Sequence, residues 1–172
     1  MAEILSIKKI QVEALNLKVS TCLKCRLHTY RTHAVPGEGA LDARVLFVGQ
    51  SPGRSEDAAG RPFIGRAGRF LGDLLNLTGL GRDEVYLTSC VKCLTPNNRK
   101  PRKDEVEACM PYLERQLSII NPEVVVLLGD VALKAVLGGG SVSHLHGETL
   151  VISSRKIFCN LPSFGWIEVP KY

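Results

Sequence analysis

Apolar positions recur with two different periods along this chain, and the changes of period divide it into elements. Arg44-Val-Leu-Phe-Val48, Val85-Tyr-Leu-Thr88 and Glu123–Leu128 (EVVVLL) are short apolar, β-branched runs, the first and third closed by Gly49 and Gly129. Such runs predict buried strands. Thr149–Ser153 and Lys156–Cys159 predict two more strands, joined by a turn at Ser154-Arg155. Between the strands the period lengthens. Phe70, Leu71, Leu74, Leu75 and Thr78 share one face of a helix over 67–78, stopped by Gly79 and Gly81. Asp104 is a good N-cap for a helix carrying Val106, Cys109, Tyr112, Leu113 and Leu117, which Pro111 should bend. Asp130 caps a short helix to Leu137, ended by Gly138-Gly139-Gly140, and Leu5, Ile7, Ile10, Leu15 and Leu17 mark an irregular N-terminal helix. Residues 29–43, 50–66 and 95–103 are rich in Gly, Pro, Asn and charge and read as loops. Strands alternating with helices predict an α/β fold, a three-layer sandwich around a central, mainly parallel sheet. Ligands of such sheets bind at the carboxyl ends of strands, here Gly49–Gly53, Ser89–Cys93 and Asn160–Ser163.

Composition narrows the class. The chain has 172 residues, 45% hydrophobic and 23% charged. That is the size and balance of one globular domain over residues 1–172. No apolar run is long enough to span a bilayer, so no membrane association is expected. Met1–Ser20 carries Glu3, Lys8, Lys9, Glu13 and Lys18 and does not read as a signal peptide, so a cytoplasmic location is expected. The same argument disfavours a secreted disulfide framework for the six cysteines. Net charge is +5. Its distribution says more than its size: Arg54, Arg61, Arg66 and Arg69 form one basic run and Arg99, Lys100, Arg102 and Lys103 another, each beside a special loop. That placement favours contact with phosphates.

The cysteines carry the sharpest chemistry. Cys22 and Cys25 have the C-x-x-C spacing of a metal-ligand pair, and Cys93 and Cys109 bracket the second basic loop. Four thiolates can hold one iron–sulfur cluster or one zinc ion. Cys90 and Cys93 form a second C-x-x-C, so a zinc ribbon on Cys22, Cys25, Cys90 and Cys93 is the competing set. If 90–93 continues the strand, its ends face opposite ways, which disfavours Cys90. Cys90 and Cys159 then read as core thiols. The Gly49-Gln50-Ser51-Pro52-Gly53 turn offers backbone N–H groups at a sheet edge. Phe63, between glycines in Gly60–Gly65, is a candidate platform for a nucleobase or else a core plug. Glu56-Asp57 is a candidate acid/base pair or a local charge cluster, and His144 and His146 read as incidental. There is no phosphate-binding G-x-x-x-x-G-K-[ST] loop and no H-E-x-x-H motif.

Several of these stretches occur together in a known family. Thr21–Leu27, Val35–Gly39, Val48–Gly53, Glu56-Asp57 with Gly60–Gly65, Val91-Lys92-Cys93 and Ala108–Leu113, in that order, resemble the iron–sulfur (family 4) uracil-DNA glycosylases. The similarity runs from about Ser20 to Gly129 and more weakly to Ser163. It implies a [4Fe–4S] cluster on Cys22, Cys25, Cys93 and Cys109, structural in role, holding the 95–103 loop against DNA. It implies hydrolysis of the N-glycosidic bond of deoxyuridine in single- or double-stranded DNA, with the base drawn out of the stack; a monomer is expected. Phe63 would stack on uracil, while Gly49, Gln50, Ser51, Pro52 and Gly53 would contact the base and place the water, Gln50 and Ser51 filling the catalytic positions. Arg99, Lys100, Arg102, Lys103, Pro162 and Ser163 would contact DNA. Three positions depart from the family pattern. Gln50 stands where the family has Glu, Ser89 where it has Asn, and Leu161 where it has His. A glutamine amide cannot accept a proton as a carboxylate does, and leucine donates no hydrogen bond. A glycosylase-fold protein that binds DNA or a damaged base without efficient cleavage is therefore the alternative.

Overall fold

A computed structural model describes residues 2–140, 142–145, 147–152 and 155–160. The helices are α1 (Ala2–Ser20), α2 (Arg54–Ala59), α3 (Arg66–Leu77), α4 (Lys103–Ile120), α5 (Asp130–Leu137) and α6 (Val142–Leu145). The strands are β1 (Glu38–Gly39), β2 (Val45–Gly49), β3 (Tyr86–Ser89), β4 (Val124–Leu128), β5 (Thr149–Ile152) and β6 (Arg155–Asn160). They form one sheet in the order β1-β3-β2-β4-β6-β5. The central four strands are parallel, and β1 and β5 close the edges antiparallel.

Strand alternation sorts the core into two layers. Leu46 and Val48 of β2, Val125 and Leu127 of β4 and Ile157 of β6 face one way and pack with Val12, Leu15 and Val19 of α1 and Tyr112, Leu113, Ile119 and Ile120 of α4. Phe47, Leu87 and Val126 face the other way, against Leu71 and Leu75 of α3. Helices therefore cover both faces, which is why the EVVVLL run is apolar at every position rather than at alternate ones. The expected three-layer α/β sandwich with a mainly parallel sheet is what forms. From β2 the chain passes to β3 on one side, while β4 pairs on the other side of β2. The loops after β2 and β4 consequently diverge and open a crevice. Among the described residues no helix is long and apolar enough to cross a membrane.

Several local expectations are corrected. The 50–66 segment is not all loop: α2 forms within it, because the Glu56 carboxylate accepts from the Gly53 N–H at 3.1 Å and closes the first turn. The 29–43 segment contributes the two-residue β1, paired with Leu87 and Tyr86 of β3. Arg102, not Asp104, is the N-cap of α4, and the Glu105 carboxylate accepts its N–H at 2.7 Å. Helix α4 runs on through Pro111, which sits on the exposed face, where water can satisfy the carbonyl that proline leaves unpaired. On α3 the buried positions are Gly68, Leu71 and Leu75, and Phe70 is exposed. Residues 90–93 are a bend after β3 rather than its continuation, so strand parity does not decide between Cys90 and Cys93. The short α6 has no strong sequence signal; His144 is exposed on it, and His146 lies outside the described residues.

Candidate functional site

A cleft of about 940 Å³ opens at the carboxyl ends of β2 and β4. Gly49, Gln50, Ser51, Pro52 and Gly53 form one wall, Leu128–Val131 another, and Phe63, Ser89 and Lys100 also line it. Phe63 is held in the left-handed region at φ 51, a strained setting for an aromatic residue, and its neighbours fix it there. The Glu56 carboxylate accepts from the N–H groups of Ile64 at 2.9 Å and Gly65 at 2.6 Å. Arg82 donates to the carbonyl oxygens of Phe63, at 2.7 Å, and Pro62, and its other partner is the Glu38 carboxylate at 2.9 Å. Gly49 leaves room for the ring: a Cβ there would lie 2.8 Å from the Phe63 Cζ. Gly68 does the same for the backbone, since a Cβ at 68 would lie 1.8 Å from the Phe63 carbonyl oxygen. Gly68→Ala is expected to destabilise the fold by about 1–3 kcal/mol through overpacking. Because backbone must move, it should also displace Phe63; thermal melting and a Phe63 ring NMR shift check the two effects.

Glu56 and Asp57 are anchors in this arrangement. Glu56 joins the Gly53 turn to the Phe63 loop, and both oxygens of buried Asp57 accept from the Thr32 N–H at 3.0 Å. Ser89 is buried and its hydroxyl donates to the Val91 carbonyl at 2.8 Å. The bend it begins also holds the β2 turn: the N–H groups of Cys90 and Val91 donate to the carbonyls of Gly49, at 2.9 Å, and Gln50, at 3.1 Å. Gln50 and Ser89 thus share one cleft with Phe63. Leu161, Pro162 and Ser163 lie outside the described residues.

The second basic run divides by role. Arg99 makes a bidentate pair with the fully buried Glu105, at 2.6 and 2.8 Å, and so acts as a strut of its loop. Hydrogen bonds from Arg99 hold the Glu105 carboxyl down at about 2. Lys103 pairs loosely with Glu107 at 3.7 Å, both exposed, and such a pair adds little. Lys100 and Arg102 are exposed, Lys100 on the cleft itself. Asn97 and Asn98 both take positive φ, 54 and 53, at the tip of this loop. Its base is closed by the Thr95 hydroxyl, which donates to the Arg99 carbonyl at 2.7 Å.

Behind the cleft, Cys22, Cys25, Cys93 and Cys109 line a second, small cavity with Arg31, Lys92 and Tyr112. Three of the sulfurs accept N–H donors: Cys93 from the Arg31 guanidinium at 3.2 Å, Cys109 from the Lys92 backbone at 3.4 Å, Cys22 from the Lys24 backbone at 3.5 Å. Donors aimed at sulfur suit thiolate ligands. Burial pushes the thiols of Cys25 and Cys93 up and that of Cys109 to about 11, so a cationic centre is what would make them thiolates at neutral pH. Among the described residues no three His, Cys, Asp or Glu side chains are grouped to hold one metal ion. The four thiols nevertheless line one cavity, and a donor set of four sulfurs suits an iron–sulfur group or a single zinc ion. Cys90 is buried elsewhere, its thiol pushed up to about 12, and does not line this cavity.

Sequence reasoning gave no role to Lys92, Gln116, Glu38 or Arg82. Lys92 is 1% exposed, and burial lowers its ammonium to about 8. No hydrophobic pattern marks a buried lysine; its one signal is its place beside Cys93.

The family model described as the uracil DNA glycosylase superfamily matches residues 36–164. The chain is 43% identical to the type-4 uracil-DNA glycosylase of Sulfurisphaera tokodaii, over 81% of this chain and 66% of that protein. It is 46% identical to the type-4 enzyme of Pyrobaculum aerophilum, over 74% of this chain and 65% of that protein. It is 48% identical to that of Thermotoga maritima, over 77% and 69%. The chain thus spans about two-thirds of the length of these relatives. From the crevice, the braced Phe63 and this similarity together, the chain belongs to the uracil DNA glycosylase superfamily, on its type-4 branch.

Proposed function

We propose that this chain hydrolyses the N-glycosidic bond of uracil, or of another deaminated base, in DNA. One observation carries the reading: the β2 turn, the braced Phe63 and Ser89 line one cleft that the cationic Lys100 also borders, and four cysteines line a second cavity of the same fold. A target base drawn from the stack enters the cleft and stacks on Phe63. Gln50 and Ser51 contact the base and orient the attacking water, and Gly49, Pro52 and Gly53 shape the wall around it. Gln50 holds water by hydrogen bonding but takes no proton, so rate enhancement rests on positioning. Lys100, Arg102 and Lys103, with Pro162 and Ser163, contact the DNA, and Arg99 stiffens the loop that presents them.

Cys22, Cys25, Cys93 and Cys109 hold a [4Fe–4S] cluster. When bound, that group supplies a structural clamp between α4, the bend after β3 and the segment following α1. None of the six cysteines is in a disulfide, which fits a reducing compartment such as the cytoplasm. Residues 1–172 act as one domain, and the protein acts as a monomer.

The test is incision of uracil-containing oligonucleotides after alkaline cleavage of abasic sites. Activity is expected, strongest on single-stranded or mismatched uracil, where extrusion costs least. Retained DNA binding with no abasic product at enzyme excess would overturn excision and leave a DNA-binding module.

A further inference from the structure

Lys92 is buried between the two cavities, and its bonds run to both. Its backbone N–H donates to the Cys109 sulfur at 3.4 Å, and its carbonyl accepts from the Val35 N–H at 2.7 Å. Its Nζ lies 2.6 Å from the Ser89 carbonyl, 2.6 Å from the Thr88 hydroxyl and 2.7 Å from the Gln116 Oε1. Gln116 presents that oxygen because its amide nitrogen donates to the Pro36 carbonyl at 2.7 Å. Three oxygens, two from β3 and one from α4, thus meet at one buried nitrogen, and among the described residues no carboxylate is paired with it. Buried hydrogen bonds of this kind are strongly directional, so the side chain is fixed in place.

The bond to the Ser89 carbonyl closes the 89–92 bend from inside. This bend supplies the two N–H groups that hold the Gly49 and Gln50 carbonyls, and it contains the Ser89–Val91 hydrogen bond. A contiguous path thus runs from the sulfur cavity through Lys92 and the bend to the turn that faces the base. We infer that Lys92 is a positioning residue: it locks the 89–92 bend and so sets Gly49, Gln50 and Ser89 in register with the base-binding cleft. The inference rests on the excision reading above, and it assigns Lys92 no contact with the base.

The test uses the full chain. Lys92→Met keeps length and removes the three donors. Thr88→Val and Thr88→Ser form a second pair, in which only serine keeps the hydroxyl that Lys92 uses. Three quantities are read per mole of folded, iron-loaded protein: kcat/KM on uracil DNA, affinity for undamaged duplex, and the affinity ratio between a non-cleavable 2′-fluoro-2′-deoxyuridine oligonucleotide and its thymine counterpart. Lys92→Met is expected to lower kcat/KM at least tenfold and to collapse the binding ratio toward unity, with duplex affinity unchanged. Thr88→Val is expected to move both in the same direction and Thr88→Ser to restore them, which keeps the test decisive if Lys92→Met does not fold. A merely structural lysine would lower the melting temperature and leave both per-mole quantities at wild-type values in Lys92→Met and Thr88→Val; that result overturns the inference alone. A wild-type chain that makes no abasic product overturns the excision reading, and the inference with it.

Discussion

Cys109→Ala is expected to bleach the protein, strip its iron and lower its melting temperature by roughly 6–12 °C. Loss of a buried ligand and its bound group costs about 3 kcal/mol or more, and each kcal/mol lowers the melting temperature by about 2–4 °C in a chain of this size. Cys109 is 5% exposed on α4, and its sulfur accepts the Lys92 N–H, so the loss acts where the helix, the bend and the thiol cavity meet. Cys90→Ala is the matched control. Cys90 is fully buried but outside the cavity, so its truncation removes core packing and keeps the colour. Visible absorbance, iron content and melting curves of the two variants discriminate the ligand sets. Bleaching by Cys90→Ala with colour retained in Cys109→Ala would put Cys90 in place of Cys109 among the iron ligands, and a colourless, zinc-containing wild-type protein would restore the ribbon assignment.

Phe63→Ala is expected to lower kcat/KM on uracil DNA about 5- to 150-fold, the factor corresponding to a base–aromatic stack of about 1–3 kcal/mol. The loss should fall on discrimination as well as rate, because stacking is what holds an extruded base in the cleft. The fold should survive. Phe63 is half-buried, and its loop is fixed through backbone groups by Glu56 and Arg82, which the substitution leaves in place. Unchanged kcat/KM beside a lowered melting temperature would make Phe63 a core plug. The two variants thus probe different parts of one machine, the thiol site acting on stability and the aromatic on substrate.

Much of this was written locally. The three strand runs, α3, α4 and α5 follow from periodicity, because burial on one or both faces of an element imposes a spacing that no other demand mimics. The C-x-x-C pair and the Gly49–Gly53 turn were legible because few residue types serve those purposes. The misreadings share a cause. Helix α2 was hidden in a Gly/Pro/charge-rich stretch because its first turn is closed by one side chain, Glu56, which serves the Phe63 loop at the same time. Strand parity says nothing about Cys90, because residues 90–93 leave the strand and bend; which sulfurs line one cavity is a matter of that bend.

By itself the sequence determined which segments are buried and how they repeat, since apolar spacing is a local consequence of the hydrophobic effect. It likewise set the inventory of thiols, glycines and cations available to a site. Only the tertiary structure decided which of these meet. It alone placed Glu38, Arg82 and Glu56 around the Phe63 loop, made Arg99 a strut while leaving Lys100 on the cleft, and buried Lys92 among three oxygens. The physical reason is that hydrogen bonds and ion pairs between distant residues depend on direction and distance in space, and chain spacing records neither.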